Sequence, residues 1–462
     1  LHNSSCLFFQ SHKQPYHHQI FSLIFAIDEI NKNPRLLPNI TLGFHIYDDM
    51  FNLRTSYEAI LDLLFTQLRN MTNYKCDRSK NILTDFSYMS SYQLTYGAYD
   101  TPLRRNTEFP FMHQMTPGDP LQPWGIIQLL IYFKWTWIDL IVSNDDSGER
   151  FVQAMASLLA HNSICVSALY RLAKSTDFII SAYSDYGRKM NAGLISSKAN
   201  VVIASGDSFS LAALIMWLEA NEFITNIEIG KVWIITTRWD FTQSIITVSG
   251  FPRKTFHGTL SFSIHRSPLS GFHDFLNTLN SDNSLMQFLC VFWQVAFGCT
   301  IPELKRTQCN KHLQCTGNEE LWKLPLTKFE MDMTGESYSV YNAVYAVAHS
   351  LLAIYESRSR SKLHNFLKNA HFNNGVGHEI LVENGRLSVG YDIINWVMFP
   401  NASIHKVQVG NILPSHEFTV AEDFITWNGR FKQVGSTISV CQYCCRASFG
   451  LCFVFSSQSA HK

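Results

Sequence analysis

Hydrophobic residues in this chain repeat with two periods by turns, and that alternation restricts the fold more than any other feature of the sequence. Over residues 19–31, Ile20, Leu23, Ile24, Ile27 and Ile30 recur at helical spacing, with Asp28, Glu29 and Asn31 opposite. Pro34 and Pro38 stop that helix, and residues 40–47 then alternate around Gly43 as a strand does. A second helix is predicted over 55–65. The pattern resumes at Trp124, with a helix over 126–133, a short buried strand over 137–142 and a polar loop Asn144-Asp145-Asp146-Ser147-Gly148. A helix over 151–159, a strand over 201–204, a helix over 211–220 and a strand over 232–236 follow. Strand and helix by turns are the mark of an α/β sheet. Further on, residues 259–264 alternate, 271–279 and 339–355 are helical in spacing, and Asn384-Gly385 signals a hairpin. In the long helix, Tyr341, Val344, Tyr345, Ala348, Leu351, Leu352 and Tyr355 form one apolar stripe, which reads as core.

A chain of 462 residues exceeds what one ordinary core holds, so two domains or lobes are expected. With 46% hydrophobic and 16% charged residues it is globular, and 37 basic against 37 acidic residues give no net charge for gripping nucleic acid. No apolar run reaches the roughly 20 residues that cross a bilayer; the best near the end covers 447–455. The chain opens on Leu1 without a signal peptide, which leads us to expect a processed or partial product.

In open α/β sheets, ligands sit beyond the carboxyl ends of the strands. That rule makes Asp145, Asp146, Ser147, Ser205, Thr237 and Arg238 candidates for ligand contact, against the plainer reading of each as an ordinary strand-end turn residue. The sequence carries no Gly-rich phosphate loop, no His-Glu-x-x-His and no Gly-x-Ser-x-Gly elbow. Its eighteen histidines are scattered, and the neighbours His17 and His18 diverge on a helix. We therefore expect no metal, no cofactor and no catalysis.

Eleven cysteines, none with a convincing zinc spacing, and sequons at Asn3, Asn39, Asn70 and Asn401 point to the secretory pathway. An odd count leaves at least one thiol free or paired between chains.

Several stretches together resemble the extracellular region of class C G-protein-coupled receptors, most closely the vomeronasal type-2 receptors. They are Phe25-Ala26-Ile27-Asp28-Glu29-Ile30-Asn31-Lys32-Asn33-Pro34, Gln93-Leu94-Thr95-Tyr96-Gly97, Trp135-Thr136-Trp137-Ile138 and Gly230-Lys231-Val232-Trp233. Phe256-His257-Gly258-Thr259, Met333-Thr334-Gly335, Tyr338-Ser339-Val340-Tyr341-Asn342-Ala343-Val344-Tyr345 and Tyr391-Asp392-Ile393-Ile394-Asn395-Trp396 complete the series. The resemblance runs from about residue 16 to 432.

It implies an α/β bilobal fold like the periplasmic binding proteins, a Venus flytrap, each lobe a sheet flanked by helices. Lobe 1 is expected over 1–115 and 265–375 and lobe 2 over 116–258 and 376–432. The hinge crossings are expected near Met115, near 258–264 and near 375–380, and a truncated or aberrant cysteine-containing tail over 433–462. It implies a peptide or small-molecule chemosignal as ligand, dimerisation through lobe 1, a plasma-membrane receptor with this region outside the cell, and a G protein reached only through a membrane domain. It also implies a disulfide between Cys299 and Cys315, and a bond from Cys165 to the cysteine-rich end, where Cys441, Cys444 and Cys445 all remain open. Cys6 and Cys76 are its third pair.

By the same resemblance Tyr96, Gly97, Ala98 and Tyr99 fall in the lobe-1 grip, where Ala98 replaces the usual hydroxyl. The Gly- and Ser-bearing turn that holds an amino-acid carboxylate has no counterpart between Cys76 and Gln93, although Ser87, Ser90 and Ser91 lie close by. Ser147 stands where some members have an aromatic residue, and Thr237 where amino-acid-sensing relatives have an acid. A soluble binding or decoy protein of the same fold, and a non-functional gene product, are the alternatives.

Overall fold

The computed structural model describes residues 14–44, 46, 93–95, 112–117, 120–172, 185–206, 208–225, 229–237, 255–279, 292–294, 296–299, 315–316, 318–326, 328–357, 363–399 and 403–431. The helix expected over 55–65 and the cysteine-containing tail lie outside them.

Two sheets organise these residues. The larger contains β3 (Trp137–Ser143), β4 (Cys165–Leu172), β5 (Val201–Ser205), β6 (Val232–Ile235), β7 (Thr259–Ile264), β11 (Tyr391–Met398), β12 (Ile404–Ile412) and β13 (Phe418–Val420). Their spatial order is β13-β12-β11-β7-β6-β5-β3-β4. From β4 to β7 all neighbours are parallel, and β11, β12 and β13 continue antiparallel. Helices cover both faces, which is why the central strands read as continuous apolar runs. Alternate side chains divide between two cores: Ile138, Leu140, Val142, Val201, Ile203, Val232 and Ile234 on one face, Ile141, Val202, Ala204, Trp233 and Ile235 on the other. Helices α2 (Leu121–Tyr132) and α3 (Asp146–His161) pack on the first face; α4 (Asp185–Ser196) and α5 (Ser208–Thr225) pack on the second.

The smaller sheet holds β1 (Gln93–Thr95), β2 (Met112–Gln114), β8 (His371–Asn373), β9 (Glu379–Glu383) and β10 (Arg386–Leu387), in the order β1-β2-β10-β9-β8. Its core is built on α1 (Gln14–Lys32), α6 (Ser270–Thr278), α7 (Gly335–Ser357) and α8 (Leu363–Leu367). Helix α7 is buried on nearly every side through its first half, so the stripe ending at Tyr355 understates its contact, and Tyr355 itself is exposed. Phe21, Phe25, Phe272, Phe292 and Tyr341 interlock edge-to-face or stacked around α1.

Three expectations change. Residues 41–44 form no strand. The Asn31 side-chain amide donates to the Leu42 carbonyl at 3.0 Å and accepts from the Leu42 N–H at 2.9 Å, taking the bonds a neighbouring strand would have used. The third crossing, expected at 375–380, comes later. The hairpin of β9 and β10 turns on Asn384 and Gly385, with φ of 51° and 78°, and buries Ile380, Val382 and Leu387 in the smaller half's core. Arg386 pairs with Gln114, so residues 376–387 belong with the smaller sheet and the chain returns at Tyr391. The second crossing likewise follows β7, because 259–264 is paired inside the larger sheet on both sides.

Candidate functional site

In sequence order β3, β4, β5 and β6 are the first four strands of the larger sheet, yet in space they lie β4-β3-β5-β6. The direction of winding reverses between β3 and β5, and crevices open at the carboxyl ends of strands at such a switch point. Five of the residues singled out in the sequence stand at this rim: Asp145, Asp146 and Ser147 just beyond β3, Ser205 at the end of β5 and Thr237 just beyond β6. Asp146 opens α3 with an exposed side chain, so it and Ser147 are first-turn helix residues rather than loop residues. Tyr96, Gly97, Ala98, Tyr99 and Arg238 lie outside the described residues, as does the stretch between Cys76 and Gln93.

Asp145, half-buried, organises the β3 side. Its Oδ1 accepts from the Ser143 hydroxyl at 2.8 Å, the Ser147 hydroxyl at 2.8 Å and the Gly148 N–H at 2.9 Å, capping α3. The sheet and helix approach so closely that a Cβ on Gly148 would stand 1.9 Å from the Ser143 carbonyl oxygen. On the β5 and β6 side the Thr236 hydroxyl donates to Ser205 Oγ at 3.2 Å, and Gln122 Nε2 from α2 donates to Thr237 Oγ1 at 3.1 Å. Ser205 is almost fully buried, whereas Thr237 is partly open. At the next strand Arg171 binds Glu149 through two nitrogens, at 2.6 and 3.3 Å, and this pairing holds the Glu149 carboxyl below its ordinary range.

These hydrogen bonds fix the chemistry of the rim. Ser143 and Ser147, both buried, direct their protons to Asp145. The exposed Asp146 carboxylate offers this wall an acceptor for N–H donors, an ammonium or amide nitrogen. Sequence reasoning passed over Ser143, Thr236 and Gln122. The strand-end rule marks Asp145 as a ligand-contact candidate, but not its role as the cap of α3.

Elsewhere, Cys299 and Cys315 form a disulfide, and Cys165, the first residue of β4, is disulfide-bonded. Cys6 and Cys76 lie outside the described residues. Asn39 is exposed with a φ of 63°, while Asn3, Asn70 and Asn401 are not among the described residues. Among the described residues the one grouping with three possible metal-ligating side chains is Cys299, Cys315 and Glu319, and its two sulfurs are already bonded to each other.

A family model described as "Receptor family ligand binding region" matches residues 22–398. The chain belongs to that family. Mouse vomeronasal type-2 receptor 116 is 28% identical over 477 residues, covering 94% of this chain and 53% of the relative. Mouse vomeronasal type-2 receptor 26 is 26% identical with the same coverage, and the human extracellular calcium-sensing receptor is 24% identical over 89% of this chain and 43% of its own length. The chain thus spans about half the length of the relatives it matches. It is a receptor ligand-binding region homologous to vomeronasal type-2 receptors. Its mixed α/β structure with two helix-flanked sheets is of the periplasmic-binding-protein kind. Among the described residues no helix is long and apolar enough to cross a membrane.

Proposed function

We propose that this chain is the extracellular clamp of a class C chemosensory receptor, binding a peptide or small-molecule chemosignal between two lobes without catalysing a reaction. Lobe 1 comprises residues up to about 115 with 265–390, and lobe 2 comprises 116–264 with 391–431. The observation that carries the reading is the switch point: Ser147, Ser205 and Thr237 stand together at the carboxyl ends of adjacent strands in a chain of the receptor ligand-binding family. Tyr96, Gly97, Ala98, Tyr99 and Arg238 complete the site from the remaining rim and from lobe 1. Ligand draws the lobes together, and it contributes only its differential affinity for the closed arrangement. Closure acts on a dimer joined through lobe 1 and, through a membrane domain, on a G protein.

The region faces outward from the plasma membrane. Asn3, Asn39, Asn70 and Asn401 carry glycans, Cys6 pairs with Cys76, and Cys165 joins the cysteine-containing tail. A thermal-shift screen of the secreted chain against L-amino acids and synthetic peptide pools tests the reading. A ligand found this way should bind about three- to tenfold more weakly to Ser147→Ala and to Thr237→Ala. Ligands that stabilise both variants as well as the parent would place the site elsewhere.

A further inference from the structure

Glu330, in the short segment between Phe329 and Met333 of the smaller half's core, is almost buried and stands between two cations. Its Oε1 lies 3.1 Å from Arg266 Nη2, and its Oε2 lies 2.5 Å from Lys406 Nζ. Lys406 belongs to β12 of the larger sheet and also sits over the Trp396 ring, 4.9 Å from its centre. The Glu330–Lys406 contact therefore joins the two halves directly rather than through the connecting chain.

The connectors are close by. Arg266 lies in the second connector and also donates to the Met333 carbonyl. Its neighbour His265 donates its backbone N–H to the Gly390 carbonyl of the third connector at 3.0 Å, and Val389 packs against both cores. Lys406 is opposite Trp396, five residues along β11 from Tyr391, where the strand leaves the connector. That is about 16 Å of extended chain, so a rotation of about 20° about the connectors moves this point by about 5 Å. Such a displacement breaks a contact of 2.5 Å.

We propose that Glu330 and Lys406 form an off-axis latch that holds the two lobes in the arrangement seen here and that must open when they rotate. The inference rests on the bilobal clamp reading. Against the opposing effect of burial, Lys406 and then Arg266 hold the Glu330 carboxyl below its ordinary range; Arg266, on the connector side, is not itself the latch. The His18 ring faces the same carboxylate from α1, and its burial lowers its pKa to about 4, so it stays neutral and adds no competing charge at neutral pH.

Small-angle X-ray scattering of the full secreted chain tests the latch in Glu330→Gln, Lys406→Met and the double variant. Each single variant should shift the ratio of two arrangements by about tenfold, and the double variant should do no more than either single one. Lys406→Met keeps the stem over Trp396, so it carries the test if Glu330→Gln does not fold. Profiles of folded variants that superimpose on the parent overturn the latch. An equimolar L-amino-acid mixture and a synthetic peptide pool, added to the parent, judge the clamp separately. If the parent compacts and the variants match it, only the latch fails; if a bound probe compacts neither parent nor variants, the clamp reading fails.

Discussion

Replacing Lys231 by Met should be among the most damaging single changes in the larger half. Lys231 and Asp139 are an ion pair beneath the sheet, Nζ to Oδ2 3.4 Å, with side chains 6% and 0% exposed. Asp139 also accepts from the Ser197 hydroxyl at 2.9 Å, while Lys231 donates to the carbonyls of Ser197 and Ala199. Burial pushes the Asp139 carboxyl above its ordinary range and the Lys231 ammonium below its own, and their mutual attraction offsets only part of this. Without the lysine, a charge is left buried with a hydroxyl partner and two carbonyls lose a donor. Breaking such a pair costs about 3–5 kcal/mol, whereas replacing both members by apolar residues costs far less. Urea unfolding followed by tryptophan fluorescence should therefore show Lys231→Met about 3–4 kcal/mol less stable at pH 7. The double variant Asp139→Leu, Lys231→Met should lie within about 1 kcal/mol of the parent.

The pH dependence has a definite sign. A carboxyl whose folded pKa is raised binds protons more readily when folded, so its ionisation removes stability as pH rises through that value. The deficit of Lys231→Met should shrink as pH falls through the raised folded pKa and vanish near the unfolded value of about 3.9. A loss below about 1 kcal/mol at pH 7, or a loss unchanged by acid, would refute the account of this pair.

Other consequences are as specific. Gly335→Ala should cost about 1–3 kcal/mol in thermal or urea unfolding, since an added Cβ would stand 2.4 Å from the Ile264 carbonyl oxygen where α7 seats on the end of β7. Cys315→Ser opens a loop closed over a separation of 16 residues and should cost about 3 kcal/mol in urea unfolding. The Asp392 carboxylate, 2.8 Å from His265 Nδ1, raises the His265 pKa above its usual value. The stability this pair adds is present below about pH 6.5 and is lost as pH rises through the raised folded value. His265→Gln should flatten that part of the stability profile, by less than about 1 kcal/mol because the His265 side chain is 41% exposed.

The larger half was legible because each central strand buries both faces and each helix shows its own period. The starts of β3, β5, β6 and β7 follow directly from apolar runs bounded by polar residues. What a periodic pattern does not show is which core a segment faces. The hairpin over 379–387 alternates cleanly and turns where Asn384-Gly385 says it should, but only its pairing with Gln114 puts it in the smaller half. The strand expected over 40–47 is not formed by the described residues 40–44 for another reason, because a side-chain amide from α1 captured the backbone groups of Leu42. For the site, the strand-end rule found Asp145, Asp146, Ser147, Ser205 and Thr237, but the reversal of strand order that singles out β3 and β5 is a property of the sheet. Asp145 is marked in the sequence as a candidate contact, but that it sets the direction of two hydroxyls is visible only in the fold.

The central claim is that the two sheets are the jaws of a clamp whose ligand sits at the β3–β5 switch point. Small-angle scattering of the secreted chain, recorded while a ligand from the thermal-shift screen is titrated in, tests it most directly. The account predicts a fall in the radius of gyration that saturates with binding and moves to higher ligand concentration in Thr237→Ala. Saturable binding with no change in the radius of gyration would contradict it.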